Sequence, residues 1–389
     1  MRSLVEYGYL LRGGDARSMR RMSLSEGLFD QLEEAFFEGF RQSATEDGET
    51  PEPFLIPSRI DGRKAFQVAN WVGVLGMGET RIEVLPKTAR TPEEGRRVTL
   101  DMLRLTRPEN FKQFSTHSFA PERMPLYEVF MRVFLDHALH VVKRGIRRDY
   151  VEREENRECF KGRLLVAQNL RLNRGMHHRA YTASDEFIEN RPANRLIRAT
   201  LDLVRRRSCM METQRLAREL IFAFQDVPAS GDVDADIRRL RVDRMMQHYK
   251  PALSWASWLL KGRSPFDREG ITDAPSLLFP MEKLFEDYVG FLLGRVHGLS
   301  DLRLQASQHW LVSAPRRFRM RPDYVFILNG AKAVGDAKWK LADQEAQDGK
   351  FGVSQADLYQ LYAYGHKYLS GKGRLFIFYP ETFAFHERQ

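Results

Sequence analysis

Cysteine is nearly absent: Cys159 and Cys209 are the only two in 389 residues. Two thiols exclude a zinc site or an iron–sulfur cluster held by four cysteines of one chain, and they argue against a secreted fold built on disulfides. No run of about 20 apolar residues occurs, so no segment is expected to span a membrane. The opening residues hold no apolar stretch of signal-peptide length, and a cytoplasmic location is expected. No glycine-rich loop ends in Gly-Lys-Ser/Thr. Gly76-Met77-Gly78 lacks that ending and reads as a hairpin turn, so the chain is not expected to bind a nucleotide itself. The histidines also lack companions. His137 with His140, and His177 with His178, read as satisfied or exposed side chains rather than as metal ligands.

The rest of the composition is that of a folded protein, with 43% hydrophobic, 11% aromatic and 29% charged residues, too much apolar surface for disorder. Lysine and arginine outnumber acidic residues by 61 to 52, giving a net charge of +9. Arginines gather at Arg205-Arg206-Arg207 and around Arg238, Arg239, Arg241 and Arg244. A basic balance favours a polyanionic partner, although a basic stripe also occurs as plain solvated surface.

The pattern along the chain predicts an α+β multidomain protein. Residues 1–100 read as a β-rich region, with Thr80–Leu85 apolar at alternate positions as in a half-buried strand, and one helix near Leu24–Gln42. Residues 101–265 read as mainly helical, with 3.6-residue periodicity over Leu126–Val142 and further helices over Ala193–Val204 and Thr213–Phe224. A Gly/Pro-containing break near Lys261–Pro275 sets off a last region, 266–389. There the elements follow as a helix (Phe279–Val296), three strands (Leu302–Val312, Phe318–Leu328, Ala331–Trp339), a helix (Ser354–Tyr368) and a strand (Gly373–Tyr379). That α-β-β-β-α-β order makes it an α/β domain.

The chemistry concentrates in this last region. Asn329-Gly330 is a strong hairpin signal that sets the second and third strands antiparallel and adjacent. Asp323 follows Pro322 on the second strand. Asp336 and Lys338, two apart on the third, point to one face. Asp323 and Asp336 can then converge on a hard cation, with the backbone carbonyl of Ala337 as a further oxygen ligand. Lys338 is suited to orient the attacking water or to neutralise charge in a phosphodiester transition state. Oxygen-only ligation favours Mg2+, with Mn2+ as a substitute. The plainer alternative is an exposed same-face ion pair between Asp336 and Lys338.

This arrangement resembles the PD-(D/E)xK nuclease superfamily, whose motif is present as Pro322-Asp323 and Asp336-Ala337-Lys338. The resemblance implies a metal role for Glu286 on the preceding helix. It also implies a supporting, DNA-approaching role for Gln360 and Tyr364, which match the QxxxY element of the RecB-like branch. Over its whole length the chain resembles the McrC family, the nuclease subunits of the McrBC modified-cytosine restriction system. The stretches that carry this are Glu6-Tyr7-Gly8, Thr80–Lys87, Phe160–Leu164, Arg191–Arg195 and Met281–Glu286, followed by the nuclease motif. The family likeness implies DNA as substrate. It further implies a separate AAA+ GTPase partner, docked through residues 1–100 and stimulated by this chain. A stand-alone RecB-like repair nuclease would keep the same site without a GTPase, and a non-enzymatic adaptor would only grip DNA.

Overall fold

The computed structural model of the chain describes residues 2–43, 53–77, 80–107, 120–176, 178–261, 277–312, 314–342 and 351–382. It is a mixed α/β protein with several small sheets. The chain divides into two compact units, 1–126 with 263–389, and 127–262. The expected break near Lys261–Pro275 lies almost wholly outside the described residues.

In the first unit, β2 (Tyr9–Arg12), β3 (Arg21–Leu24), β4 (Leu55–Ile60) and β5 (Arg63–Val68) form a sheet in the order β3-β2-β5-β4. Helix α1 (Glu26–Ser43) packs Phe29 and Phe36 on Phe66 of β5, with ring centroids 5.3 and 5.2 Å apart. A second sheet runs β1-β7-β6-β11, from β1 (Arg2–Val5), β6 (Trp71–Met77), β7 (Thr80–Leu85) and β11 (Leu277–Pro280). Gly73 permits the last pairing. Its φ is 133°, and a Cβ there would lie 2.0 Å from the Leu277 carbonyl oxygen, so only glycine lets the two backbones approach.

Strand β7 differs from the half-buried strand that alternation predicts. Ile82, Val84 and Leu85 are buried, but so is Glu83. Helix α2 (Pro92–Thr106) covers the second face, and Arg96 from it pairs with Glu83 at 2.8 Å. Ser3 Oγ and the Leu126 N–H also donate to the Glu83 carboxylate. A buried acid is tolerated there because every lone pair it turns inward meets a donor.

The third sheet of this unit has the order β12-β15-β16-β17. It comprises β12 (Leu299–Leu304), β15 (Tyr324–Leu328), β16 (Ala331–Ala337) and β17 (Arg374–Phe378). β15 and β16 are antiparallel, joined at Asn329-Gly330, and β16 and β17 are parallel. A parallel pair needs a crossover, and here it contains helix α10 (Gln355–Leu369). α10 packs Tyr364 and Leu369 against Val334 on one face. Helix α9 (Met281–Leu293) meets the other face, where the Tyr324 hydroxyl donates to the Glu286 carbonyl at 2.6 Å. The predicted strand Leu302–Val312 is two strands, β12 and β13 (His309–Val312). The predicted Phe318–Leu328 is likewise β14 (Arg317–Met320) and β15. Gln305, at φ 50°, and Pro322 interrupt the runs, and β13 pairs with β14 as a separate ribbon.

The second unit holds helices α3 (Leu126–Arg144), α4 (Val166–Leu172), α5 (Pro192–Arg207), α6 (Met211–Ala223), α7 (Val233–Arg238) and α8 (Lys250–Lys261). Their core includes Phe130, Phe134, Leu196, Leu201 and Trp255. It also contains what a mainly helical reading omits. β8 (Asp149–Arg157) and β10 (Ala180–Ile188) pair over their full lengths, with β9 (Arg163–Leu164) alongside β10. Asn194, fully buried, ties the root of this ribbon by donating to the carbonyls of Arg147 and Glu189, each at 2.8 Å. The Tyr249 hydroxyl donates to Asn194 and accepts from the Arg147 N–H. Arg195 pairs with Asp236 at 2.5 Å, and Arg163 with exposed Glu152 at 3.0 Å, so both arginines have ordinary structural partners.

Candidate functional site

Three acidic side chains approach one end of the third sheet, each from a different segment. Asp323 lies one residue beyond the paired Tyr324 and Gly335, so its carboxylate faces the Asp336 end of β16. Its Oδ2 accepts from the Ala337 N–H at 2.8 Å, and its Oδ1 from Gln305 Nε2 at 3.1 Å. The same Gln305 amide donates to Oε1 of Glu286, which α9 directs to the site. Lys283, one turn earlier on α9, pairs with Glu286 at 3.0 Å. Asp336 is only 4% exposed. Lys338 Nζ lies 2.5 Å from its Oδ2.

The electrostatics follow from burial. Desolvation, reinforced by the Asp336 charge, holds the Asp323 carboxyl well above the usual carboxylate range. Desolvation also raises Asp336, against the pull of Lys338. For Lys338 burial works to lower the pKa, but the hydrogen bond and charge of Asp336 prevail and keep the ammonium protonated above its ordinary value. Two buried acids that resist ionising together are a site short of positive charge. Their donors are all oxygen, which suits a hard divalent cation. Among the described residues, no three His, Cys, Asp or Glu side chains already form a ligand cluster. The Gln305 amide sits between Glu286 and Asp323, where it supplies the hydrogen bonds that a cation would replace.

Gln360 and Tyr364 stand behind this site. Gln360 Nε2 donates to the Tyr364 hydroxyl at 2.8 Å, and that hydroxyl donates to the Arg321 carbonyl at 3.3 Å. Tyr364 is buried against Met320 and Val334. The pair thus props the segment that delivers Asp323, and Gln360 itself is exposed.

Several residues of the site are not apparent from motifs. Gln305 is one. A second group joins residues far apart in the chain. Trp339 Nε1 and the Lys87 N–H both donate to Oε1 of Glu6, at 2.6 and 2.9 Å, and Lys87 Nζ donates to the Trp339 carbonyl at 2.7 Å. Trp339 also packs on Phe285 of α9, with ring centroids 5.1 Å apart. The residue after Lys338 is therefore fixed by the N-terminal segment and by the helix that carries Glu286. Lys340 closes the group by pairing with buried Asp357 on α10 at 2.7 Å.

Comparison with known families is decisive for most of the chain. The model for the McrBC 5-methylcytosine restriction system component matches residues 66–380. The chain belongs to this McrBC family. The resemblance to McrC drawn from the short motifs is borne out, and the protein is a component of a restriction system. Its fold is similar to that in a refined half-complex from a tetradecameric assembly of Thermococcus gammatolerans McrB AAA+ hexamers with bound McrC. That match has a TM-score of 0.70 and 18% identity, and covers 100% of this chain and 89% of that one. A cryo-EM structure of the Thermococcus gammatolerans McrBC complex also matches, with TM-score 0.54, 19% identity and coverage of 76% and 87%. At these identities the likeness is one of fold. No curated protein matches the chain. Among the described residues of this McrBC component, no helix is long and apolar enough to cross a membrane.

Proposed function

We propose that this chain is the DNA-cutting subunit of a McrBC-type restriction complex, with a PD-(D/E)xK nuclease domain in residues 266–389. The reading is carried by the meeting of Asp323, Asp336 and Lys338 across the β15–β16 pair, with Glu286 from α9 beside them. Glu286, Asp323, Asp336 and the Ala337 carbonyl would hold Mg2+, or Mn2+ in its place. When bound, that ion supplies Lewis-acid polarisation of the scissile phosphate and acidifies a bound water. The chain's own residues do the rest. Lys338, protonated beside Asp336, neutralises charge as it develops on the phosphate and orients the attacking water. Gln305 holds Glu286 and Asp323 in place through its amide. Gln360 and Tyr364 fix the Arg321–Asp323 segment so that the acid does not drift from the reacting centre.

The solved relatives are described as McrB AAA+ hexamers with bound McrC. By analogy we assign the motor to a separate AAA+ GTPase and no nucleotide to this chain. We also propose docking through residues 1–100, as the resemblance implies. The β8–β10 ribbon is a second candidate docking surface, favoured by its exposed Tyr150 and Phe187 and by exposed Phe160 and Leu170 in the segment between its strands. Serine at Tyr150 and Phe187 reduces GTPase stimulation if the ribbon docks, and leaves it intact if residues 1–100 do. The function itself is tested with the purified chain and Mg2+ on duplex DNA, with and without the partner and GTP. Cutting that needs both supports the subunit reading. Robust cutting by the chain alone favours a stand-alone RecB-like repair nuclease. Binding without cutting under several divalent metals favours an adaptor.

A further inference from the structure

The β13–β14 ribbon is not accounted for by the acidic site, yet it grows directly out of it. It leaves the third sheet at Gln305 and returns at Asp323, where the Gln305 N–H donates to the Asp323 carbonyl at 2.8 Å. Its root is held firmly. The Tyr368 hydroxyl of α10 contacts the carbonyls of Ala306 and Met320 at 2.8 and 3.1 Å, and His309 packs on the Tyr368 ring at 4.5 Å. Beyond that root it makes little core. Leu311 is 50% exposed and Phe318 72%.

Its charge is one-sided. From Leu302 to Pro322 the sequence has five arginines and one histidine and no acidic residue. Arg303 is neutralised by Asp301 at 2.8 Å. Among the described residues, no carboxylate pairs with Arg316, Arg317, Arg319 or Arg321. Two of them are held ready instead. Arg316 and Arg319 lie 4.8 and 5.6 Å from the Trp310 ring, and Arg319 also donates to the Ser307 carbonyl and hydroxyl. Phe318, between Arg317 and Arg319, takes a left-handed backbone at φ 56°, unusual for an aromatic residue.

We infer that this ribbon enters a groove of duplex DNA beside the scissile phosphate, with Arg316 and Arg317 on backbone phosphates and Phe318 against the groove floor. A two-stranded ribbon has the width that the major groove admits. Uncompensated guanidiniums are the groups that displace counterions from phosphates. Geometry supplies the link between the two. A phosphate presented to Asp323 and Asp336 brings its duplex to the root of the ribbon, because Asp323 is that root. The inference rests on DNA being the substrate.

The test uses the full chain and a short labelled duplex without divalent metal, so that binding is read without cutting. Fluorescence anisotropy is followed across a salt series. The double variant R316Q/R317Q is expected to bind at least about tenfold more weakly at low salt, with a log–log salt slope shallower by about 1.8. R316K/R317K keeps most of the slope. Phe318→Ser weakens binding at an unchanged slope. Circular dichroism confirms that all three fold. Wild-type binding and an unchanged slope in R316Q/R317Q overturn the inference while leaving the nuclease reading in place. Unchanged DNA binding with lost GTPase stimulation makes the ribbon a protein-docking face and also overturns it. A wild-type chain that neither binds nor, with its partner, cuts DNA overturns both.

Discussion

Glu6 is 1% exposed. Burial lifts its carboxyl from an ordinary 4.5 to about 7, against the charge of Lys87 and the hydrogen bonds from Lys87 and Trp339. The folded pKa is thus above the unfolded one. Such a group contributes stability that is complete below pH 4.5 and is lost as pH rises through about 7. A displacement of that size corresponds to about 3 kcal/mol. Glutamine keeps the accepting oxygen for Trp339 Nε1 and Lys87 N but cannot ionise. Other acids titrate alike in both proteins and cancel in the difference. Urea unfolding of wild type and Glu6→Gln is therefore compared from pH 4.5 to 8. The difference in unfolding free energy is expected to move by about 3 kcal/mol in favour of the variant, mostly between pH 5 and 7. A difference that stays flat with pH means that Glu6 does not carry a raised pKa in the folded protein, whatever constant offset the substitution brings.

Glu83→Ala strands the buried Arg96 guanidinium, and denaturant unfolding is expected to show a loss of about 3–5 kcal/mol, partly recovered by pairing it with Arg96→Met. Tyr364→Phe removes the hydroxyl between Gln360 and the Arg321 carbonyl. It is expected to cost about 1 kcal/mol in unfolding and to slow cutting far less than loss of an acid. Mg2+ is expected to raise the melting temperature of the wild-type chain in a concentration-dependent way and to do so weakly in Asp336→Asn, as read by a thermal-shift titration. An equal Mg2+ response in both proteins would place the ion elsewhere.

Much of the candidate site was legible because the relevant rules are local. Period two puts Asp336 and Lys338 on one face, and Asn329-Gly330 sets the register that brings Asp323 across to them. Helical spacing joins Gln360 to Tyr364. What was hidden depends on contacts between distant segments. Glu6 and Trp339 are 333 positions apart and share one hydrogen bond. No pattern marks Gln305 as the amide between two acids. The pairing of β11 with β6 rests on the single permissive Gly73. The β8–β10 ribbon escaped for another reason. Much of it is exposed, so its charged strand Asp149–Arg157 shows no apolar alternation to read. β7 shows the converse. Alternation found the strand, but the cover that α2 gives to Glu83 was beyond its reach.

The proposed nuclease chemistry stands on Asp336 and Lys338. The direct measurement is single-turnover cleavage by the assembled complex, with partner, GTP and Mg2+, for wild type, Asp336→Asn and Lys338→Met. GTPase stimulation is measured in the same samples. Cutting is expected to fall by about 10²–10⁴-fold or more in each variant while GTPase stimulation persists. Cutting at the wild-type rate in both variants would contradict the assignment.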